Sequence, residues 1–463
     1  MNLHADVCVV GGGPAGAACA LRLAQLGHAV VLVERGPPGR PHVGESLPAS
    51  VLPVLDQLGV RQAVESAGFL RPRGALVRWD GPLHTMDEPR AGDAGFQVDR
   101  ARFDALLLGA ASAAGVRVLQ PATAGAPMVG PQGVSLPLHD GRMVLAQTLV
   151  LAHGRRGGEP TAPRTAALFA RWHRLPAHTD PRMRVEAADH AWYWGAPLPD
   201  GCVNTAVFVD ASRCAGLAPS AREALYRRLL GESSLLSACL QGEAAGPVQV
   251  CDATPRLARD IADARVFKVG EAAFSIDPLS SQGVQAALRS ALHAAACLHT
   301  LVHRPHHQAL ALQFHRDQVQ RAAARHAQLA AGFHRAAALA RGTAFWQARA
   351  AAASPADART TTPQALPALD SWVGLDTRLR WQRMPTLQGD FIVEADALVH
   401  PALDGPVSFI GGASMAALLR PLAQPLPLCA LLKAWCAEAG EAAAVQWLTA
   451  LWRQGVVVAA PAH

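Results

Sequence analysis

The feature that most restricts how this chain can fold is a glycine-rich turn between a short apolar run and a helical segment. Residues 5–10 have the sequence ADVCVV, which is typical of a buried parallel strand, and GGGPAG follows, which fits the pattern GxGxxG. In this pattern Gly11 permits the tight turn, Gly13 lets the backbone approach a pyrophosphate, and Gly16 lets the helix pack on the strand. The positive end of the helix dipole then faces the phosphates. The N-terminus therefore predicts an α/β domain that binds a dinucleotide.

An acidic residue at the end of the next strand supports this interpretation. The second apolar run, residues 29–33, ends at Glu34, whose carboxylate can accept a hydrogen bond from a ribose hydroxyl and would repel a 2′-phosphate. Pro14 and Ala15 at the helix start, and Arg35 after the acidic residue, complete the first half of the predicted cofactor site. The turn by itself does not separate FAD from NAD.

The composition argues against several classes of protein. The 42 Lys and Arg residues exceed the 36 Asp and Glu residues only slightly, and they are scattered, so no nucleic-acid surface is predicted. No CxxC pair occurs among the nine cysteines, which gives no sign of a zinc site or a dithiol centre. Wide cysteine spacing, the lack of a signal-peptide pattern and the lack of a long apolar run predict a cytoplasmic protein that binds no metal and no membrane.

A distant segment separates the two dinucleotides. Residues 270–273 (GEAA) follow an apolar strand, and residues 277–283 (DPLSSQG) lead into a helix. Both resemble segments of the FAD-dependent aromatic monooxygenases and flavin-dependent halogenases. The resemblance implies FAD as the cofactor, with Gly270 and Glu271 holding the ribityl chain, Glu271 standing where the family has Asp. It also implies that a proline-containing loop places a helix N-terminus against the flavin pyrimidine, a role for Pro278, Gly283 and Val284.

Two further segments agree with this resemblance. Residues 98–104 (VDRARFD) are similar to the arginine-containing helix start of the family, which implies that Arg102 reaches the flavin or its phosphates. Residues 151–155 (LAHGR) resemble its Asp-Ala-Ser/Thr-Gly turn, with Leu and His as departures, and put His153 near the site.

The halogenase branch of the superfamily is the most similar. Residues 44–48 (GESLP) resemble its GES loop, which places Ser46 at the cofactor and makes Glu45 a candidate catalytic base. Residues 192–197 (WYWGAP) resemble its WxWxIP motif, with Ala in place of Ile. The resemblance implies that the indole of Trp194 screens the flavin from the substrate; core packing is the alternative for these tryptophans.

The missing lysine favours oxygenation over halogenation. The family's halogenases use a lysine shortly before a segment matched here by residues 69–79, which contains Arg71 and Arg73, and the chain has only Lys268 and Lys433. An arginine keeps its pKa above about 12 and cannot supply a neutral amine. The chain then resembles the halogenase-like monooxygenases that mature protein-derived quinone cofactors. That resemblance implies a flavin hydroperoxide that hydroxylates an aromatic group, such as a tryptophan side chain, in a protein- or carrier-bound substrate.

Glu45, His153 and Trp194 are the predicted catalytic residues, and reduction is assigned to NAD(P)H or a separate flavin reductase. Two alternatives stay open. One is a halogenase with an unusual catalytic group. The other is a flavoprotein reductase of the geranylgeranyl-reductase type, whose PxxGEx-like segment is matched at 41–45.

The order of strand and helix patterns predicts a Rossmann-type FAD-binding domain with an interleaved mixed-sheet substrate domain and a small C-terminal α+β domain. The C-terminal segment resembles a winged helix, and its sparse charge favours protein docking over nucleic-acid binding; a dimerisation or capping domain is the alternative. The predicted boundaries are 1–80 with 97–182 and 250–300 for the FAD-binding domain, 81–96 and 183–249 for the substrate sheet, 301–360 for a helical segment and linker, and 385–463 for the C-terminal domain.

Overall fold

The computed structural model of the protein describes residues 2–37, 39, 42–87, 94–155, 157–175, 182–352, 365–403 and 405–461. It divides the chain into two units. The first unit is Met1–His299 with His315–Ser354, and the second is Thr300–Phe314 with Pro355–His463. The end of the predicted helical segment and linker, residues 353–360, lies outside the described residues, as does Pro41 of the segment that suggested a reductase.

The apolar run at the N-terminus forms the centre of a seven-stranded sheet. Asn2–Val10 pairs in parallel with Val30–Val33 on one side and with Met143–Leu151 on the other. Its residues Val7 to Val9 are at most 1% exposed, as expected for a parallel strand covered on both faces. Val266–Lys268 also runs parallel to Met143–Leu151, so the carboxyl ends of these strands meet at one edge. The remaining strands of the sheet are Arg117–Leu119, Met128–Gly130 and Gly133–Pro137.

Helices cover this sheet. Pro14–Gln25 starts with proline at its first position, where the missing N–H costs nothing, and packs against Arg100–Ala113. None of the described helices is both long enough and apolar enough to cross a membrane. The other helices before residue 353 are Leu52–Gln57, Arg61–Ser66, Pro219–Glu232, Gly283–His303, Gln308–Arg341 and Ala344–Ala351.

A second, eight-stranded sheet is mostly antiparallel. Its strands, in spatial order, are Glu243–Ala244, Thr165–His173, Val203–Asp210, Trp192–Pro197, Met183–Ala187, Ala75–Arg78 and His84–Met86, and Gln249–Asp252 also pairs with Thr165–His173. The sequence prediction assigned Ala75–Arg78 and Thr165–His173 to the FAD-binding domain, whereas the structure places both in this sheet. Strand patterns identify strands but not their partners, because pairing is decided by distant residues. Three-stranded and two-stranded ribbons complete the first unit, formed by Glu159–Pro160, Arg256–Leu257 and Phe274–Ser275, and by Ser46–Leu47 and Phe96–Gln97.

The two faces of the second sheet bury different side chains. Tyr193 lies in a core with Trp172 and Tyr226, on the face covered by helix Pro219–Glu232. Trp192 points to the opposite face, where its ring stacks on Phe208 with 3.6 Å between centroids. Trp192 is therefore a core residue, as in the alternative given above for the tryptophans of this motif.

The second unit has its own apolar core. Three helices, Met415–Leu419, Leu428–Ala439 and Glu441–Arg453, bury leucine and tryptophan side chains against one another. The terminal strand Val457–Ala459 pairs with Trp372–Leu375, so this unit includes residues well before the predicted boundary at 385. Its other strands are Arg380–Gln388, Phe391–Val399, Phe409–Ile410, Ala413–Ser414 and Leu426–Pro427.

Candidate active site

A cavity of about 600 Å³ lies within the first unit and is lined by residues from both of its large sheets. The lining contains all three predicted catalytic residues, Glu45, His153 and Trp194. It also contains most of the predicted cofactor residues, which are Gly11, Gly13, Pro14, Ala15, Glu34, Arg35, Ser46, Glu271, Pro278, Gly283 and Val284. Gly16, Arg102 and Gly270 do not line the cavity.

The glycine-rich turn has the geometry that its sequence predicts. Gly11 has φ of +110°, and a Cβ there would lie 2.4 Å from the carbonyl oxygen of Ala152. A Cβ on Gly16 would lie 1.8 Å from the carbonyl oxygen of Gly11, so this glycine acts by close packing rather than by contact with a ligand. Glu34 accepts the N–H of Gly12 at 2.6 Å, which fixes its carboxylate at the end of the second strand.

The distant segment converges on this turn. A Cβ on Gly270 would lie 2.6 Å from Cβ of Ala15, so only glycine permits this approach between the 270 segment and the first helix. Glu271 forms an ion pair with Arg155, with 2.8 Å between Nη2 and Oε1. The N-terminus of helix Gly283–His303 also borders the cavity. The two stretches singled out in the sequence thus share one cavity.

The arginine that borders the cavity is not the predicted one. Asp99 caps helix Arg100–Ala113 by accepting the N–H of Arg102, and the Arg102 guanidinium donates to the carbonyl of Ala67, away from the cavity. Arg100 lines the cavity instead, is 7% exposed, and pairs with Asp104 at 3.0 Å. Positions two apart on a helix point in nearly opposite directions. Treating Asp99 as the helix cap would have identified Arg100.

Glu45 is buried at the centre of a polar cluster. It is 1% exposed, and its Oε1 accepts from Nδ2 of Asn204 at 3.0 Å. Arg171 places Nη2 at 3.5 Å from the same oxygen, and the N–H of Gly44 donates to Oε2 at 2.9 Å. Burial raises the pKa of the Glu45 carboxyl, while its hydrogen bonds and the charges of Arg171 and Arg100 oppose the increase. A buried carboxyl with a raised pKa is a stronger base than an exposed one and can exchange a proton with a ligand.

One face of the second sheet closes the cavity. Its lining residues are Ala167, Phe169, Trp194, Asn204, Ala206 and Phe208. Trp194 is half-buried and borders the cavity, unlike its neighbour Trp192. Asn204 and Phe169 are not among the predicted site residues, although the asparagine within the apolar strand VNTAVFVD is a signal of a buried polar site.

The histidines have weaker connections to the site. His153 lies in the cavity wall, with Nδ1 3.2 Å from the carbonyl oxygen of Gly154, so its ring is tied to the turn. His42 is a second histidine of the cavity lining. Arg71 does not line the cavity, and its guanidinium lies 3.9 Å from the centre of the Phe96 ring.

The cavity fits FAD. A Cβ on Gly13 would have no heavy atom within 4 Å, so the backbone is open where a pyrophosphate has to approach the helix N-terminus. Glu34 would lie at the ribose of a dinucleotide bound in this way, and a second helix N-terminus borders the same cavity. The phosphates, the ribose and the ring system of FAD would each have a suitable partner.

Comparison with known proteins agrees with this geometry. The family model of FAD dependent oxidoreductases matches residues 6–44, and the tryptophan halogenase model matches residues 83–365. The chain belongs to the tryptophan halogenase family. It is therefore an FAD-dependent oxidoreductase, as the sequence predicted, with an α/β fold of the flavin-dependent halogenase type.

Three relatives illustrate the range of the family. Tryptophan 2-halogenase from Chondromyces crocatus is 32% identical over 367 residues, covering 74% of this chain and 70% of that protein. The solved structure of QhpG, described as a peptidyl tryptophan dihydroxylase essential for tryptophylquinone cofactor biogenesis, is 28% identical. It covers 98% of this chain and 99% of its own, with a TM-score of 0.71. The flavin-dependent halogenase CmlS has a TM-score of 0.80 at 19% identity, covering 99% and 96%, which shows the shared fold.

Proposed function

We propose that this protein is an FAD-dependent monooxygenase that hydroxylates an aromatic side chain, namely tryptophan in a protein- or carrier-bound substrate, during the maturation of a quinone cofactor. Similarity to QhpG over nearly the whole of both chains supports this proposal. NAD(P)H or a separate flavin reductase would provide the electrons.

The residues that line the cavity favour oxygenation over halogenation. None of the described residues that line the cavity is a lysine, and the two lysines of the chain are at 268 and 433. A guanidinium, unlike the amine of a lysine, does not form a neutral amine that would accept a halogen atom. Glu45 is instead the buried ionisable group that faces the second sheet, next to Asn204.

Three residues of the chain would have separate roles in this hydroxylation. The lining residues would hold FAD, which in its reduced form would supply the electrons for the chemistry of molecular oxygen, so that one oxygen atom goes to the aromatic ring and the other leaves as water. Trp194 and Phe169 exclude water from the ring, which protects the oxygenating species from decay. Glu45 accepts at a carboxylate oxygen the proton that the ring loses, because its burial keeps the pKa of the carboxyl raised.

The test is product mass under controlled halide. FAD-loaded protein is supplied with a flavin reductase, NADH, oxygen enriched in the heavy isotope, and short tryptophan-containing peptides, with and without bromide or chloride. The proposal expects products that carry heavy oxygen in both conditions at equal yield. Products that carry a halogen and form only with halide would contradict it.

Halogenation is the second candidate, and one observation favours it. The 32% identity to a tryptophan 2-halogenase is higher than the identity to QhpG. In the same experiment a halogenase yields the mass of a chlorine or bromine atom and no heavy oxygen, so one spectrum separates the two functions.

A further inference from the structure

The second sheet ends at a short edge strand whose outer side is open. Gln249–Asp252 pairs with Thr165–His173, and within the part of the chain that the structure describes no strand pairs with its other side. Gln249 and Asp252 are exposed, as are residues 243–247 before them. An edge strand of this kind presents backbone N–H and C=O groups that can pair with another polypeptide.

One hydrogen bond determines which backbone groups of the edge strand face outward. Ala253 donates its N–H to the carbonyl oxygen of Thr165 at 2.8 Å, across to the neighbouring strand. Backbone groups of successive residues in an antiparallel strand point alternately to one side and to the other. Those of Cys251 therefore point to the neighbouring strand as well, whereas those of Val250 and Asp252 point outward.

A side chain of the protein already uses one of the outward groups. Arg155 donates to the carbonyl oxygen of Asp252, which agrees with this assignment of directions. No described residue forms a hydrogen bond with the N–H or the C=O of Val250, or with the N–H of Asp252. These three groups lie on the same side of the strand, so an extended chain beside it can bond to all of them.

The side chains of the edge strand continue the wall of the cavity. Cys251 is opposite Ala167 in the register, and both residues line the cavity. Gln249 is opposite Phe169, which also lines it. Opposite residues of paired strands project from the same face of a sheet. A strand added to the outer side would therefore place every second side chain on the cavity face, about 4.8 Å beyond Cys251.

The opposite edge of the same sheet lacks this relation to the cavity. His84–Met86 forms that edge, and its three residues are exposed, but none of them lines the cavity. Two strands, Ala75–Arg78 and Met183–Ala187, separate it from Trp192–Pro197, the first strand from that edge that contributes to the lining. A chain paired with His84–Met86 would hold its side chains away from the cavity, so only the edge at Gln249–Asp252 suits a substrate.

We propose that Gln249–Asp252 binds an extended segment of the polypeptide substrate by strand addition. The backbone of the segment pairs with the outward groups of Val250 and Asp252, and an aromatic side chain of the segment enters the cavity beside Cys251. In this mode of binding, backbone hydrogen bonds provide affinity for any polypeptide, and the pocket selects the side chain that enters. The inference rests on the proposed function and specifies how the polypeptide substrate is held.

Two features favour a substrate over a second copy of this chain as the occupant of the edge. The three outward groups permit a small contact, which suits a segment that dissociates after each turnover better than a permanent interface. A second Gln249–Asp252 strand has the sequence QVCD, so it would present no aromatic side chain to the cavity.

The test measures peptide binding without turnover. Oxidised FAD-loaded protein is titrated by calorimetry with a short peptide of serine and threonine around one tryptophan, acetylated and amidated at its ends. A series of these peptides carries one backbone N-methyl group at each position in turn. Because alternate N–H groups of a paired strand point to its neighbour, methylation should weaken binding about threefold to tenfold at every second residue around the tryptophan and have little effect between. Absence of binding, or an equal effect at every position, would overturn the inference.

Two substitutions at one position separate the backbone of the edge strand from its side chain. Val250→Pro removes an outward N–H, and an edge strand tolerates proline where the N–H faces solvent. This variant should bind the peptide about tenfold more weakly or worse, because the proline ring also obstructs the added strand. Val250→Ala keeps the N–H and should bind the peptide about as tightly as the parent. Equal peptide affinity in the two variants would refute the pairing.

Flavin content controls for the fold of these variants. Absorption spectra should show the same FAD content in Val250→Pro, Val250→Ala and the parent. If Val250→Pro does not retain FAD, the N-methyl series on the parent protein decides alone, because it needs no variant.

The remaining outcomes separate docking from the chemistry. A period of two in the N-methyl series, with a peptide that is never hydroxylated, would refute the proposed function and leave the docking inference intact. Hydroxylation of N-acetyltryptophanamide with the same KM as the peptide would refute docking and leave the proposed function intact. Sedimentation detects the other occupant: if the parent is a dimer that Val250→Pro converts to a monomer, the edge belongs to a second copy and the inference fails.

Discussion

Substitutions of Gly13 test whether this glycine is required for FAD binding or for the stability of the fold. Gly13 is the N-cap of helix Pro14–Gln25, with φ of −70° and ψ of −177°, an extended conformation open to every residue. A Cβ there meets no heavy atom within 4 Å. Because aspartate and asparagine are good N-caps, Gly13→Asp and Gly13→Asn should leave the apoprotein as stable as the parent or more stable by a few tenths of a kcal/mol. The fold therefore does not require glycine at this position.

Binding of FAD should respond in the opposite way. A side chain at Gly13 occupies space that the pyrophosphate needs, and the aspartate adds a negative charge. At about 5 Å from a phosphate charge and an effective dielectric constant of about 20, the repulsion is about 3 kcal/mol, or roughly a hundredfold in the dissociation constant. Asparagine has the same size without the charge, so the difference between the two variants isolates the electrostatic part.

The assay is titration of apoprotein with FAD, followed by flavin fluorescence, together with thermal unfolding of each apoprotein. Raising the salt concentration should narrow the difference between the aspartate and asparagine variants, because salt screens the repulsion. Equal FAD affinity in the two variants at low salt would refute the assignment of this turn to the pyrophosphate. A large loss of apoprotein stability would refute the conclusion that Gly13 is free of packing constraints.

Three further predictions concern the rest of the first unit. Glu45→Gln should lower kcat by about 10²–10⁴-fold with little change in KM. The parent enzyme should lose activity as the pH falls through the raised pKa of Glu45, and the variant should not show this loss. A pH–rate profile of each protein measures kcat and its dependence on pH. Arg100→Gln should reduce flavin content whereas Arg102→Gln should not, as the absorption spectra of the purified variants would record; equal spectra would contradict the placement of these side chains. Burial lowers the pKa of His293 and His315 from 6.5 to about 4. Between about pH 6.5 and pH 4 these histidines therefore bind protons in the unfolded chain but not in the folded chain. The free energy of unfolding should therefore fall by up to about 3 kcal/mol per histidine as the pH drops through this window, and urea unfolding at several pH values would reveal a flat dependence if the reasoning is wrong.

The cofactor and the family could be predicted from the sequence because the residues that carry them are local. A strand, a turn and a helix occupy consecutive residues, and Gly11 and Gly16 are required by contacts within that unit and with Ala152. The segment around Gly270 has equally local constraints. The structure brings both to one cavity, and the family comparison confirms FAD. The roles assigned to individual cofactor-binding and catalytic residues remain predictions, which the variants described above would test.

Two other features could not be predicted this way, for different reasons. Whether Arg100 or Arg102 borders the cavity depends on which residue caps the helix. Side chains two positions apart on a helix point in nearly opposite directions. The membership of Ala75–Arg78 in the second sheet depends on its partner strand Met183–Ala187, which is more than a hundred residues away in the chain.

The sequence by itself determined that this protein folds an α/β domain around a dinucleotide and belongs with flavin enzymes, because glycine positions and strand–helix order leave few other folds. Only the tertiary structure decided what faces the cofactor. Asn204 and Glu45 are far apart in the chain, yet sheet register and burial join them by a hydrogen bond of 3.0 Å. Register is set by the packing of whole strands, so the polarity of the cavity wall follows from the assembled sheet and not from any single motif.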